Sequence, residues 1–365
     1  MIQNWMKPVD VHEILDGKEA SPRHISGQML IYEKSVPNLA NTSVVLLGTD
    51  DFSANAIRKA LYQYTFPFKN LKIADIGNLR QFKHEGLLAV LTELLSSGLT
   101  PVVLGGTSPQ AQTLMIAQAK HRQLANYGMV TPHLDFETSE TYLKSHLEKY
   151  PKSILNLIIL GYQSYLAVPQ ALAFMEKHHF DHVRLGDMRA DWEATEAALR
   201  DADGLAFDVG ALRAADAPAK LNPSPSGLYT EEACRLTRYA GMSDKLSSLG
   251  IFGYAPEQDT SSQTAHVVAQ MIWYFLDGFH NRKNDYPVSN EGLTEYIVPL
   301  QAQKRPLTFW KSNKSGRWWV ELTTKSNQSP KLERHRLVPC TYADYQMALK
   351  GSVPDCYLNA LARLG

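Results

Sequence analysis

Short β-branched and aliphatic runs alternate with longer amphipathic stretches along most of the chain, after a polar opening of about forty residues. The runs at 42–48, 71–76, 101–105, 127–131, 154–160, 182–185, 204–209 and 249–254 read as strands, about eight in all. Most are continuously apolar, as in Val102-Val103-Leu104 and Leu157-Ile158-Ile159-Leu160. Strands covered by helices on both faces carry that pattern, whereas half-exposed strands alternate. Helical spacing fills the intervals at 85–97, 110–125, 140–149, 169–177, 190–200, 230–242 and 262–279. The last of these places Val267, Met271, Ile272 and Phe275 on one stripe, which should lie on the sheet. The β-then-α order predicts an α/β protein with a mostly parallel sheet between two helical layers.

Beyond about Asn290 the pattern changes. Residues 297–300, 307–311 and 318–323 read as antiparallel strands, the last two joined by an Asn313-Lys314-Ser315-Gly316 turn, and a terminal helix follows over 342–350. The expected organisation is therefore an α/β domain with an N-terminal extension over 1–289 and a small α+β extension over 290–365. Trp310, Trp318 and Trp319 could form a binding face, but aromatic side chains on so small a sheet usually anchor it to the main body. Lys311, Lys314, Arg317, Lys325, Lys331, Arg334, His335 and Arg336 make this segment locally basic. A solvated or protein-docking surface is expected there in preference to a nucleic-acid face.

Composition narrows the class without naming a partner. At 365 residues, 44% hydrophobic and 20% charged, the chain can bury one large core and a second small unit. Lys plus Arg and Asp plus Glu both number 37, which gives no global field toward nucleic acid or an anionic membrane. No apolar stretch reaches the roughly eighteen residues of a membrane span, and the first residues lack a secretory pattern, so a cytoplasmic protein without membrane insertion is expected. Cys234, Cys340 and Cys356 show no CxxC spacing and are expected to be inert thiols. His178, His179 and His182 lack a carboxylate partner pattern and are expected at the surface.

In a parallel α/β sheet, functional groups gather beyond the C-terminal ends of the strands. Three stretches fall there: Leu104-Gly105-Gly106-Thr107-Ser108, Thr131-Pro132-His133-Leu134-Asp135, and Ala206-Phe207-Asp208-Val209-Gly210, the last continuing through Ala217-Pro218 to Pro225-Ser226-Gly227-Leu228. With Asp75-Ile76-Gly77-Asn78, and in this order and spacing, they resemble the ureohydrolase family of arginase, agmatinase and formimidoylglutamase. The motifs of that family read GGDHS, DAHxD and SxDxDxxDP, the last followed by a loop ending in GGL. The likeness runs from about Thr42 to Arg282 and is most specific between Ala206 and Leu228. Including the tail, the chain looks most like the formimidoylglutamase-like branch of gliding and related bacteria. The resemblance implies a three-layer arginase-like fold and makes homo-oligomers an expectation.

It also implies a chemistry. In an active ureohydrolase two manganese ions share a hydroxide that attacks the carbon of a guanidinium or formimidoyl group. The six ligand positions carry over to Ser108, Thr131, His133, Asp135, Asp208 and Gly210, of which only His133, Asp135 and Asp208 keep ligating side chains. One metal would draw on positions 108, 131, 135 and 208 and the other on 131, 133, 208 and 210, so neither retains three strong donors. The family's substrate-anchoring carboxylate falls on Gly253, and Glu257 and Asp259 nearby are expected to be solvated loop carboxylates. A metal-free Ser108-His133-Asp135 nucleophile lacks the GxSxG elbow. The expected site is a polar cluster in which His133 pairs with a carboxylate and Ser108 or Thr131 completes the network. No cofactor is expected, and manganese only if the residual site is functional. The sequence thus points to a non-catalytic member of the family with a protein-association or scaffolding role and an unknown protein partner. The alternative is a metal-dependent hydrolase of linear amidines or guanidines with a reduced site.

Overall fold

The computed structural model describes residues 2–81, 83–122, 124–135, 142–150, 153–285, 290–300, 306–322 and 332–364. Ten strands form one sheet: β1 (Met6–Lys7), β2 (Leu30–Ile31), β3 (Val44–Gly48), β4 (Ile73–Leu79), β5 (Thr100–Leu104), β6 (Ala125–Val130), β7 (Ile154–Tyr162), β8 (His182–Arg184), β9 (Gly204–Asp208) and β10 (Leu249–Phe252). Their spatial order is β1-β4-β3-β5-β10-β9-β6-β7-β8, with β2 also pairing with β4. All pairings are parallel except that of β1 with β4. The eight strands expected from the sequence are β3 to β10. Strands β1 and β2 have two residues each, too few for any periodicity to register.

Successive strand residues point to opposite faces, and both faces are buried. Val44, Leu46, Val102 and Leu104 join one core with Ile57 and Leu61 of helix Asp51–Leu61 and with Val268, Met271, Ile272 and Phe275 of helix Gln263–His280. Val45, Leu47 and Val103 join the other with Leu87, Val90 and Leu94 of helix His84–Ser96 and with Leu114 and Met115 of helix Ser108–His121. The result is the expected three-layer sandwich. Helix Asp51–Leu61 was not expected, although Ala54, Ile57 and Leu61 form an apolar stripe at helical spacing; Ser53 and Arg58, polar residues buried beside that stripe, interrupt it.

The C-terminal sheet is antiparallel in the order β11 (Leu293–Val298), β12 (Leu307–Ser312), β13 (Trp318–Glu321) and β14 (Leu337–Cys340), and is followed by helices Tyr342–Leu349 and Asp355–Leu364. The β12–β13 turn lies where expected. Ser312 N–H donates to Arg317 O at 2.9 Å, and Gly316 supplies the positive φ of 75°. Strand β14 was not expected because Pro339 interrupts it, and an edge strand is where a proline is tolerated.

Trp310, Trp318 and Trp319 are all buried, so they anchor the tail and do not form an open face. Trp318 stacks on Tyr345 at 4.9 Å, and the Arg200 guanidinium of the main body lies 4.6 Å over Trp319. The basic residues of the tail are used in the same way. Arg334 pairs with Asp203 and Arg317 with Glu196 at 3.2 Å, while Arg336 pairs with Glu321 at 2.8 Å within the tail itself. Arg363 donates to Asp181 at 3.1 Å and to Asn156 at 3.0 Å. Lys325 and Lys331 lie outside the described residues. Asp203 and Asp181 immediately precede β9 and β8, so the tail caps the N-terminal end of the parallel strands. Cys234 and Cys340 are buried and Cys356 half-buried, all three as free thiols, and burial pushes Cys234 up to about 12. Among the described residues no helix is long and apolar enough to cross a membrane.

Candidate functional site

The opposite end of the sheet, where the parallel strands terminate together, is open. There β5 runs into Gly105-Gly106-Thr107, β6 into Thr131 to Asp135, β9 into Asp208 and the loop to Leu228, and β10 into Gly253. Main-chain hydrogen bonds tie these segments together. Gly253 N–H donates to Gly106 O at 2.8 Å, Thr131 N–H to Leu160 O at 3.1 Å, and Gln163 N–H to Pro132 O at 3.0 Å. Between them lies a cleft of about 470 Å³ whose lining includes Thr107, His133, Asp208, Gly210, Lys220 and Gly253. Its rim carries Tyr165 and Leu221, exposed to 66% and 69%.

Four of the positions singled out from the sequence, His133, Asp208, Gly210 and Gly253, therefore meet in one cleft. Thr131 is buried beneath it, and its hydroxyl accepts the His133 N–H at 3.3 Å. Asp135 is half-buried and is not part of the lining, and the side chain of Ser108, at the start of helix Ser108–His121, lies outside the described residues. The expected pairing of His133 with a carboxylate differs from the structure. Its side chain is exposed, and among the described residues its ring makes no hydrogen bond. The carboxylate across the cleft, Asp208, is directed elsewhere.

Asp208 ends β9 and turns its carboxylate onto its own chain, where Oδ1 accepts the Gly210 N–H at 2.7 Å and caps the 3₁₀ turn Val209–Ala211. This orientation requires the two glycines beside it. A β-carbon at position 210 would stand 2.9 Å from Asp208 Oδ1, and one at position 253 would stand 2.7 Å from it. Gly253 has in addition a φ of 83°, which disfavours any side chain.

Lys220, passed over in the sequence reading, completes the cleft. It is 1% exposed, and its ammonium donates to Leu212 O and to Gly210 O, the latter at 3.3 Å. Burial pushes its pKa down to about 8, against the attraction of Asp208 and, more weakly, Asp216. Its only signal in the sequence is a lysine between Ala219 and Leu221 inside the stretch most like the ureohydrolases.

Asp259 was expected to be a solvated loop carboxylate and is instead half-buried and engaged. It accepts the Tyr254 hydroxyl at 3.0 Å and the Ala265 N–H at 2.9 Å, because the first turn of helix Gln263–His280 presents unpaired amides to it. Glu257 is exposed, as expected.

A model of the arginase family matches residues 47–277. Over 242 residues the chain is 24% identical to an agmatinase from Chromobacterium violaceum, a match that covers 60% of this chain and 71% of that protein. A formiminoglutamase from Trypanosoma cruzi, solved with Mn2+, superposes with a TM-score of 0.62 at 19% identity, over 71% of this chain and 99% of the other. The formimidoylglutamase from Bacillus subtilis superposes with a TM-score of 0.63 at 18% identity, over 73% and 96% of the two chains. At these identities the structural likeness carries the fold.

Proposed function

The chain belongs to the arginase family, and from that premise we propose that it has given up metal-dependent hydrolysis and acts through association with another protein or with further copies of itself. The T. cruzi relative holds Mn2+, and the donors in this cleft do not fit such an arrangement. The observation that carries the reading is Asp208, which belongs to both expected ligand sets. Its Oδ1 is committed to the Gly210 N–H, and the Lys220 ammonium, held at Gly210 O, adds a positive charge to the same cleft that opposes an incoming dication. Positions 210 and 253 offer no side chain, and Thr131 presents a hydroxyl already engaged by His133 N–H. Among the described residues no group of three or more His, Cys, Asp and Glu side chains is placed to hold a metal ion. The exposed Tyr165 and Leu221 at the mouth of the cleft, with Phe52 exposed to 83% on helix Asp51–Leu61, support contact with a partner.

The second reading, hydrolysis of a linear amidine or guanidine at a reduced site, is favoured by the catalytic names of the relatives. Metal content after dialysis against manganese, together with assays for urea and formamide release from arginine, agmatine and formimidoylglutamate, separates the two. The expected result is neither bound manganese nor turnover. Stoichiometric manganese that disappears in His133→Ala or Asp208→Ala, accompanied by product release, would overturn the proposal.

A further inference from the structure

Strand β11 is one edge of the tail sheet, and the other edge, β14, is the one docked on the body, where Arg200 donates to Cys340 O at 3.2 Å. Successive residues of an antiparallel strand direct their main-chain groups alternately to one side and the other. The parity of β11 is fixed by Asn313 N–H, which donates to Gly292 O at 3.0 Å, in line with the pairing of Leu293 with Ser312. Thr294, Tyr296 and Val298 therefore bond to β12, and Leu293, Glu295, Ile297 and Pro299 face outward. Leu293 N–H is taken by Asn290 O at 3.2 Å, and Pro299 has no N–H. What remains on the open edge is the N–H and C=O of Glu295 and of Ile297, and among the described residues nothing bonds to them. Both residues are exposed, Ile297 to 60%, a β-branched apolar side chain on an edge of the kind that lysine or proline usually protects. Helix Tyr342–Leu349, whose Tyr345 packs on Tyr296 with ring centroids 5.5 Å apart, adds exposed Tyr342, Met347 and Leu349 to the same small unit.

We propose that β11 is a homodimer interface, in which β11 of a second copy adds antiparallel to it across a two-fold axis at Tyr296. The inference rests on the reading of the protein as one that acts by association, and names the surface and the partner. An extended strand satisfies a row of free main-chain donors and acceptors, and the chemistry of this edge is self-complementary. With the axis at Tyr296, Glu295 of one copy lies opposite Ile297 of the other, and the two exchange N–H and C=O. Every free donor then has an acceptor, and the pairing stops where Leu293 N–H is already used and Pro299 offers none. With the axis at Glu295, two carboxylates would face each other directly. With the axis at Ile297, each Glu295 would meet Pro299, which has no N–H to return. The favoured register also sets the two Tyr296 side chains in a non-hydrogen-bonded pair, with β-carbons about 4.5–5.5 Å apart, an aromatic cross-strand contact. Lys plus Arg and Asp plus Glu both number 37, so no net charge holds two copies apart. The tail lies beyond the residues 47–277 that match the arginase family, and pairing through it leaves the cleft at the other end of the large sheet free.

The test is sedimentation equilibrium of the full-length protein over a concentration series reaching about 500 μM, with Ile297→Pro and Ile297→Lys beside the wild type. A pairing this small lies at the weak end of specific interfaces, so the wild type is expected to dimerise with a dissociation constant on the order of 10 μM. Proline at 297 removes an outward N–H and none that bonds to β12, and lysine at 297 places a charge on the edge. Both variants are expected to bind at least about ten-fold more weakly while melting within a few degrees of the wild type. If Ile297→Pro fails to fold, Ile297→Lys decides. The axis is tested by Tyr296→Cys in oxidised glutathione, which is expected to form an intermolecular disulfide. Thr294→Cys, at an exposed position on the same strand, and the wild type are expected to form none. A wild type that stays monomeric, a dimer that survives in either folded variant at 297, or cross-linking at 296 that is absent or no greater than at 294 overturns the inference. These outcomes leave the loss of hydrolysis to be judged by its own assay. Bound manganese with product release would end that reading and leave a dimer through β11 standing.

Discussion

Arg58 carries a guanidinium into the interior with no exposure at all, and Asp75, equally buried, receives it in two parallel hydrogen bonds of 2.8 Å. Gly77 O at 2.9 Å and Asn78 Oδ1 take further protons, and the Tyr62 hydroxyl donates to Asp75 at 3.1 Å. Burial alone would lower the pKa of the arginine, and Asp75 together with Tyr62 more than reverses this. Removing one member of such a pair strands the other charge, whereas removing both does not. Arg58→Met is therefore expected to lower stability by about 3–5 kcal/mol, and Arg58→Met with Asp75→Leu to recover most of the loss, both read from urea unfolding. Equal losses in the single and the double variant would refute this account. Asp75 shows how far residue roles were legible. Asp75-Ile76-Gly77-Asn78 stood out by likeness, but the partner of Asp75 is an arginine on the buried side of a separate helix, a position where the pattern leads one to expect an apolar residue. The role of a side chain depends on its contacts, and contacts between distant segments leave no local trace. Asp208 and Gly210 repeat the lesson. The loss of a ligand at 210 could be read from the chain, but the turn of Asp208 onto the Gly210 amide could not.

Elements were legible wherever burial imposed a pattern. Strands β3 to β7, β9 and β10 are buried on both faces, and their apolar runs follow from that, whereas the short edge strand β8 is only half-buried. Helix Gln263–His280 packs a continuous apolar stripe into the core it shares with helix Asp51–Leu61, so its period is plain. Its start was less visible. Ser262 at the N-cap position adopts a left-handed φ of 58° and makes no side-chain cap, so Asp259 from the preceding loop supplies the acceptor for Ala265 N–H at 2.9 Å and Thr264 N–H at 3.2 Å. A carboxylate there also meets the positive end of an eighteen-residue helix dipole. Asp259→Ala is expected to cost about 0.5–2 kcal/mol and to speed amide exchange in the first turn of this helix. Asp259→Asn, which keeps an acceptor oxygen, should lose less. Unchanged exchange at Thr264 and Ala265 in the alanine variant would show that the cap contributes nothing.

Across the whole molecule, the cleft and the tail occupy opposite ends of the same sheet, so the tail stabilises the body without entering the candidate site. Its seam holds His335, buried at 4% exposure, whose pKa is pushed well below the ordinary imidazole value by burial first and then by Lys245 and Arg334. His146, in helix Tyr142–Lys149, is likewise pushed down to about 4 by burial. In the unfolded chain both return to about 6.5. Between that value and their folded values the unfolded state binds protons that the folded state refuses, so stability is complete above about pH 7 and falls as the pH falls. Each group contributes up to about 1.4 kcal/mol per pH unit in that window. Replacement of His335 by Gln, which cannot take a proton, should flatten the decline of unfolding free energy between pH 6.5 and 5 by about that amount per unit while leaving the behaviour above pH 7.5 parallel to the wild type. Carboxylates that titrate lower contribute equally to both proteins and cancel in the comparison. Identical slopes for wild type and His335→Gln would mean that the seam opens to water before the imidazole is called upon to stay neutral, and that the tail is held less tightly than its buried tryptophans and ion pairs imply.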